Sequence, residues 1–193
     1  GFVITWHSNS QDGSNWGIYG QRYDVNAAPV GDEFLVNTTT YHHQAEPSVA
    51  VLEDDGFVVT WHSYNQDGNR YGVYGQRYDV NGDAMGNEFQ INEYTSHDQE
   101  HPSATSLGDG RFVVTWYDES RSDVYGRLYE TVTDDDGNVT TDPVAGEFRV
   151  NTYTSSTQYE PSVATLEGGG FVVTWSSYNQ DSSEYGVFGQ RFD

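Results

Sequence analysis

Apolar positions along this chain fall in short runs, and the runs repeat. The phrase "GFVVTW" begins at Gly56 and returns as Gly1–Trp6 with Ile4, as Arg111–Trp116 with Arg in front, and as Gly170–Trp175. A β-branched apolar run of this length, bounded by glycine turns, predicts a buried strand. A second phrase follows each time: "WGIYGQRYD" (16–24), "YGVYGQRYD" (71–79), "VYGRLYE" (124–130) and "YGVFGQRFD" (185–193). Bulky residues alternate there with small or polar ones, the period of a strand. Alternation recurs in "EFxVN"-like segments at Glu33–Asn37, Glu88–Asn92 and Glu147–Asn151. A fourth strand, led by proline, is expected at Pro47–Ala50, Pro102–Ala104 and Pro161–Ala164, since a strand tolerates proline at its start. No window carries a helical period.

The spacing is regular. Phe2 to Phe57 and Phe57 to Phe112 are each 55 residues apart, and Phe112 to Phe171 is 59. The chain reads as one repeat domain, 1–193, in units 1–55, 56–110 and 111–169 with an incomplete unit 170–193. Asn81-Gly82 in "DVNGDAMG" (79–86) is a strong hairpin signal, while "LEDDG", "LGDG" and "LEGGG" reverse the chain before the next "FVVTW". Four strands per unit predict an all-β fold of repeated four-stranded antiparallel sheets, β-propeller-like. The alternative is an open stack of such sheets. The third unit departs from the others only in its turns. Trp116 to Tyr125 spans 9 residues where the other units have 13, and Tyr125 to Glu147 spans 22 where they have 14.

The recurring aromatics, Trp6, Trp61, Trp116 and Trp175 with Tyr19, Tyr74, Tyr125 and Phe188, are expected to pack between neighbouring sheets. The glycines around Val73 let a ring or a backbone approach closely. Arg22, Arg77 and Arg191 are expected to pair with Glu33, Glu88 and Glu147 or with turn carbonyls.

Charge narrows the partners. Thirty Asp and Glu face eight basic residues, all of them Arg, for a net charge of −22. Such a surface disfavours nucleic acid and anionic lipid and attracts divalent cations. No apolar run approaches the roughly 20 residues of a spanning helix, so membrane insertion is not expected. The chain opens on Gly1 inside a strand-like run, without Met or a signal peptide, as a mature or excised piece would.

Two calcium candidates stand out. Asp12, Asp67 and Asp181 occupy equivalent places in "NSQDGSNW", "YNQDGNRY" and "YNQDSSEY". Asp79, Asn81 and Asp83 alternate oxygen donors on a hairpin tip, as part of a calcium loop does. The bidentate Glu of an EF-hand is missing. Each set also has a plain reading as turn chemistry, with Asp accepting from nearby amides. Trp16, Tyr71 and Tyr185 are candidate sugar-stacking rings. Asn37 and Asn138 lie in glycosylation sequons. Six scattered His without HExxH spacing, no Cys, no Gly-x-Ser-x-Gly and no phosphate loop leave no familiar catalytic signature.

The loop Ser10, Asp12, Gly13, Trp16 resembles the sialidase Asp-box but is one residue tighter; in that family the box is structural. The whole repeat, "GFVVTW…NQDG…YGVYGQRYD…EF.VNT…PSVA", resembles repeats of large secreted or surface-bound bacterial proteins, the RTX-like or hemolysin-type calcium-binding proteins and adhesins. That resemblance covers the whole chain and implies secretion, a propeller-like or stacked body, and calcium. The expectation is a non-enzymatic, extracellular or cell-surface structural or adhesive module stabilised by calcium. Its expected partners are other copies of itself, adjacent repeats of a longer chain, and glycans. The alternatives are a self-assembling fibre subunit whose fourth unit is completed by a neighbour, and a multivalent lectin.

Overall fold

The computed structural model describes residues 1–134 and 139–193. The described residues are strands and turns without a helix, gathered into four antiparallel sheets. The first holds β1 (Phe2–Asn9), β2 (Trp16–Tyr23) and β3 (Pro29–Leu35). The second holds β4 (Gln44–Val51), β5 (Phe57–Tyr64), β6 (Tyr71–Tyr78) and β7 (Ala84–Gln90). The third adds β8 (Gln99–Gly108), β9 (Arg111–Asp118), β10 (Asp123–Thr133), β11 (Val139–Pro143) and the short β12 (Phe148–Arg149). The fourth holds β13 (Gln158–Thr165), β14 (Phe171–Tyr178) and β15 (Tyr185–Phe192). Within each sheet the strands follow chain order, and β11 and β12 both pair with β10.

Sheets meet through their first strands. β4, β8 and β13 touch in succession, whereas contact between β7 and β11 is slight. This fan is the arrangement of propeller blades. The sequence units are out of phase with the sheets by one strand. The second, third and fourth sheets each begin at the proline-led segment, one strand before "FVVTW".

The same phrase is buried differently according to its neighbours. From Phe57 to Ser63 every residue of β5 is buried, since sheets cover both of its faces. A strand covered on both sides reads as a continuous apolar run rather than an alternating one. In β14 the phrase alternates between buried and exposed or half-buried positions, as it does when only one face is covered.

Three clusters form the core, one between each pair of sheets. Ile18 and Val36 of the first sheet region meet Trp61 of the second; Val73 and Ile91 meet Trp116; Val124 and Val150 meet Trp175. Trp61, Trp116, Trp175, Tyr74, Tyr125 and Phe188 therefore pack between sheets as their spacing predicts, whereas Trp6 and Tyr19 of the first sheet join none of these clusters and stack on each other. The second glycine of each "YGxYG" phrase is also explained. A Cβ on Gly20, Gly75 or Gly126 would stand 2.7, 3.0 or 2.9 Å from the ring of Phe34, Phe89 or Phe148 on the neighbouring strand. The phenylalanine lies flat over the gap, which pins register across the pair.

Asn37 shows why its sequon is misleading. It is 2% exposed. Its Oδ1 accepts the Ile18 N–H at 2.6 Å, and its Nδ2 donates to the Thr39 carbonyl at 2.9 Å and to Gln44 Oε1 at 3.4 Å. Asn92 and Asn151 repeat the first two of these bonds in the next sheets. A glycan has neither room nor a free amide there, so Asn37 is a structural clasp. Asn138 lies outside the described residues.

The expected Arg–Glu pairs do not form. Arg22 donates to the carbonyls of Val80 and Asn81 on the next sheet's hairpin, Arg77 pairs with Asp54, and Arg191 with Asp193. The glutamates instead clamp the preceding sheet. Glu88 accepts from Thr38 N and Thr39 Oγ1, both at 2.8 Å, and Glu147 accepts from the amides of Glu93 and Tyr94.

Candidate active centre

The first strand of sheets two to four carries the same irregularity. Ala45 pairs with His62 and Ser48 with Thr60, so Glu46 and Pro47 together face Trp61 alone. His101 and Pro102 face Trp116 in the same way, and Glu160 and Pro161 face Trp175. These are β-bulges, where a proline costs no ladder hydrogen bond. Glu46, His101 and Glu160 also adopt positive φ, at 54°, 55° and 51°. A non-glycine residue there costs on the order of 1–3 kcal/mol, and such strain collects at functional sites. The three bulges line one cavity of about 320 Å³, together with their prolines and Ser48 and Ser103. Chain segments some 55 residues apart thus bring two carboxylates and an imidazole to the inner edges of three sheets.

Glu46 is the hub. His101 Nδ1 lies 2.6 Å from its Oε2, and His62 Nδ1 lies 3.7 Å from the same oxygen. Its backbone N–H donates to His7 Nδ1 at 3.4 Å. The close contact and charge of His101 hold the Glu46 carboxyl below the usual glutamate range, against its partial burial. Burial works against the His101 cation, but the contact and charge of Glu46, with the charges of Glu100 and Glu160, raise it above the ordinary histidine value. Glu100, beside His101 in the chain, is displaced the other way from Glu46. Burial raises its pKa, and the nearby charge of Asp98 adds to the rise. The two carboxyls are therefore displaced in opposite directions, the kind of divergence that separates acid from base.

Aromatic rings surround this cluster. His101 meets Tyr159 edge-on at 4.7 Å, and Tyr159 meets Tyr117 at 5.2 Å. His62 lies 4.6 Å from Tyr71. Burial pushes His62 down to about 4. Its folded pKa is thus below its unfolded value, so the unfolded chain binds the proton more readily. Stability contributed by His62 is present above about pH 6.5 and lost as pH falls toward 4. Urea titrations at pH 7 and pH 5 should show a loss at the lower pH that is smaller in His62→Phe. An equal loss in the two proteins would remove His62 from the explanation.

The sequence candidates lie elsewhere. Asp12, Asp67 and Asp181 sit in separate sheets, and each Oδ1 accepts an amide of its own turn, from Ser14, Asn69 and Ser183. The other oxygen sits over the first glycine of the following strand, 2.8–3.0 Å from where a Cβ would stand. Asp79 Oδ1 accepts from the amides of Asn81 and Asp83, both at 2.8 Å, and these bonds hold its carboxyl below the usual range. Among the described residues no group of three or more His, Asp or Glu is placed to hold a metal ion. Trp16 stacks on His7 at 4.5 Å, and Tyr71 and Tyr185 pack on Tyr64 and Tyr178 at 5.0 and 5.1 Å. Of these three rings, Trp16 and Tyr71 border the Glu46 cluster, through His7 and His62.

Glu46, Glu100, His101 and Glu160 lie just before the prolines, outside the expected strands, which in the structure begin three residues earlier at Gln44, Gln99 and Gln158. A signal exists. The segments "QAEPS", "QEHPS" and "QYEPS" keep Gln, Pro and Ser while the two residues between change. Within this five-residue segment the variation is confined to the two positions before proline, and marks a place where the repeats differ chemically.

No protein-family model matches the sequence, and no curated protein matches it. Solved structures do match in fold. A protein of unknown function from Dyadobacter fermentans is 13% identical, with a TM-score of 0.62, over 98% of this chain and 61% of its own. An α-L-arabinanase from Penicillium chrysogenum, complexed with arabinobiose, is 10% identical at TM-score 0.59, over 98% of this chain and 54% of its own. An endo-arabinase from Bacteroides thetaiotaomicron is 12% identical at TM-score 0.54, over 99% and 70%. The chain therefore spans about half to two thirds of the length of these proteins.

The similarity supports the β-propeller expectation and gives none to an RTX-like or hemolysin-type relationship. It also corrects the expectation of a non-enzymatic structural or adhesive module. Arabinan-cleaving enzymes use this fold, so a body built from repeated sheets is no ground for excluding catalysis. The chain carries no familiar catalytic motif, and the repeats differ instead in side chains on the inner bulges.

Proposed function

We propose that this chain is a carbohydrate-active module, a glycosidase acting on arabinan-type polysaccharide, with its centre at the inner bulges. The observation that carries the reading is the pair of carboxyls at one bulged strand junction, Glu46 lining the cavity 2.6 Å from His101 and Glu100 next to His101 in the chain, with their pKa values displaced in opposite directions. Glycoside hydrolysis needs one carboxyl that keeps its proton and one that has lost it. Glu100 is the acid, protonating the leaving glycosidic oxygen. Glu46 is the base, drawing a proton from the attacking water while His101 holds its carboxylate in place. Tyr159, half-buried and edge-on to His101, offers ring surface beside the cavity for a sugar face.

The fold neighbours support the substrate class: one solved structure is complexed with arabinobiose. The test is release of reducing ends from debranched arabinan by the purified chain. Activity that falls by at least about a hundredfold in Glu46→Gln agrees with loss of a general base. No release by the wild-type chain from arabinan or its oligomers overturns the proposal.

A further inference from the structure

At the far end of β4 from Glu46, a second cavity of about 350 Å³ opens between sheets two and three. Its lining includes Leu52, Glu53, Asp54, Arg77, Thr131 and Val139. Arg77 is the unusual member. It is 2% exposed, one Nη donates to Asp54, and its Nε and other Nη have no hydrogen-bond partner among the described residues. Burying guanidinium donors without acceptors is costly, which makes them a sign of a ligand.

The equivalent arginines show what is different here. Arg22 directs its two Nη groups at the Asn81 and Val80 carbonyls of the next sheet's hairpin. The third sheet carries Leu128 at this place, and in the fourth Arg191 gives Nε to Asp193 Oδ1 at 3.0 Å. For Arg77 the next sheet is the one whose hairpin is lengthened. There β10 continues to Thr133 and pairs with β11, and no described carbonyl of that hairpin reaches the guanidinium. Arg77 is therefore a buried arginine with unpartnered donors at a seam where Arg22, its counterpart in the previous sheet, reaches two hairpin carbonyls.

We infer that the Arg77 cavity is a second binding site, for a neutral polyhydroxylated ligand of monosaccharide size. The chemistry excludes the charged alternatives. A small anion would meet Glu53 and Asp54 on the same walls and the −22 charge of the whole chain. A cation would meet the guanidinium. A vicinal diol suits both: its oxygens accept from Nε and Nη of Arg77, and its hydroxyl hydrogens go to the Asp54 and Glu53 carboxylates. Leu52 and Val139 face the C–H surface of such a ring. Thr131 Oγ1 is already committed to the Gly110 carbonyl at 2.5 Å and fixes that wall.

The test is the side-chain Nε–H spectrum of the full chain, titrated with L-arabinose. Arg77 is assigned by the loss of its signal in Arg77→Lys. Asp54→Asn, on a half-exposed turn, gives the assignment independently should the buried lysine prevent folding. The expected result is a saturable shift of the Arg77 signal, with affinity about tenfold weaker in Asp54→Asn. An unmoved Arg77 signal overturns the site. A shift produced by inorganic phosphate instead overturns the neutral ligand. A monosaccharide offers no glycosidic bond to cleave, so the outcome does not depend on hydrolysis at Glu46.

Discussion

Trp116→Ala lowers the unfolding free energy by about 3–5 kcal/mol, the range for deleting a buried large aromatic. Trp116 is fully buried between sheets two and three, among Val58, Val73, Ile91 and Ala104. Its ring fills a seam that neighbouring strands cannot close by collapsing, because each is held in register by its own sheet. Its indole N–H has no partner, so the loss is one of packing alone. Trp175 differs: its N–H donates to Gln158 Oε1 at 3.0 Å, and its removal leaves a buried acceptor as well as a hole. Trp6 occupies the same repeat position but is only half-buried, and Trp6→Ala costs much less. Urea unfolding of the two alanine variants checks the contrast. Equal losses would mean that burial between sheets is not what the repeated tryptophan contributes.

Glu100→Gln reduces hydrolysis of arabinan by ~10²–10⁴-fold, the usual contribution of a general acid. The carboxyl is raised by burial and by Asp98, so the protonated form persists to higher pH than in a free glutamate. Activity falls as pH rises through that raised value, and the glutamine variant lacks this limb. A stability measurement separates a chemical role from a structural one. The folded pKa of Glu100 lies above its unfolded value, so the stability tied to its proton is present at acid pH and lost as pH rises past the folded value. Glutamine, never charged, removes that loss, and the variant is at least as stable as the parent at pH 7. Full activity with an unchanged alkaline limb would take Glu100 out of the mechanism. Lost activity with lost stability would show only that the side chain is structural.

Much of the fold was legible because strands and turns are local. "FVVTW" and "YGVYGQRYD" announce themselves through period and glycine placement, and the unequal turns of the third repeat show directly in residue counts. The phase of the sheets was not legible. "FVVTW" is conspicuous because it is buried on both faces, and that same prominence made it look like the start of a unit. The candidate centre was hidden for a different reason. The positive φ of Glu46, His101 and Glu160 arises from a bulge opposite a tryptophan, a pairing that exists only once β4, β8 and β13 have met their partners. The mutual titration of Glu46, Glu100 and His101 joins residues from different repeats, and spacing within one repeat does not reveal it. Asn37 makes the opposite point. Its sequon is a local pattern, and the clasp it forms is not.

The phase offset has a consequence for how such a chain changes length over generations. Each seam takes its tryptophan from one sheet and its covering aliphatic residues from the sheet before it. A tandem duplication of one period therefore regenerates one complete seam wherever its breakpoints fall, since the copied stretch carries both halves in order. Recombination has no need to respect the edge of a sheet. What is inherited as a whole is the joint between sheets, and the residues free to diverge are those that face the axis from it.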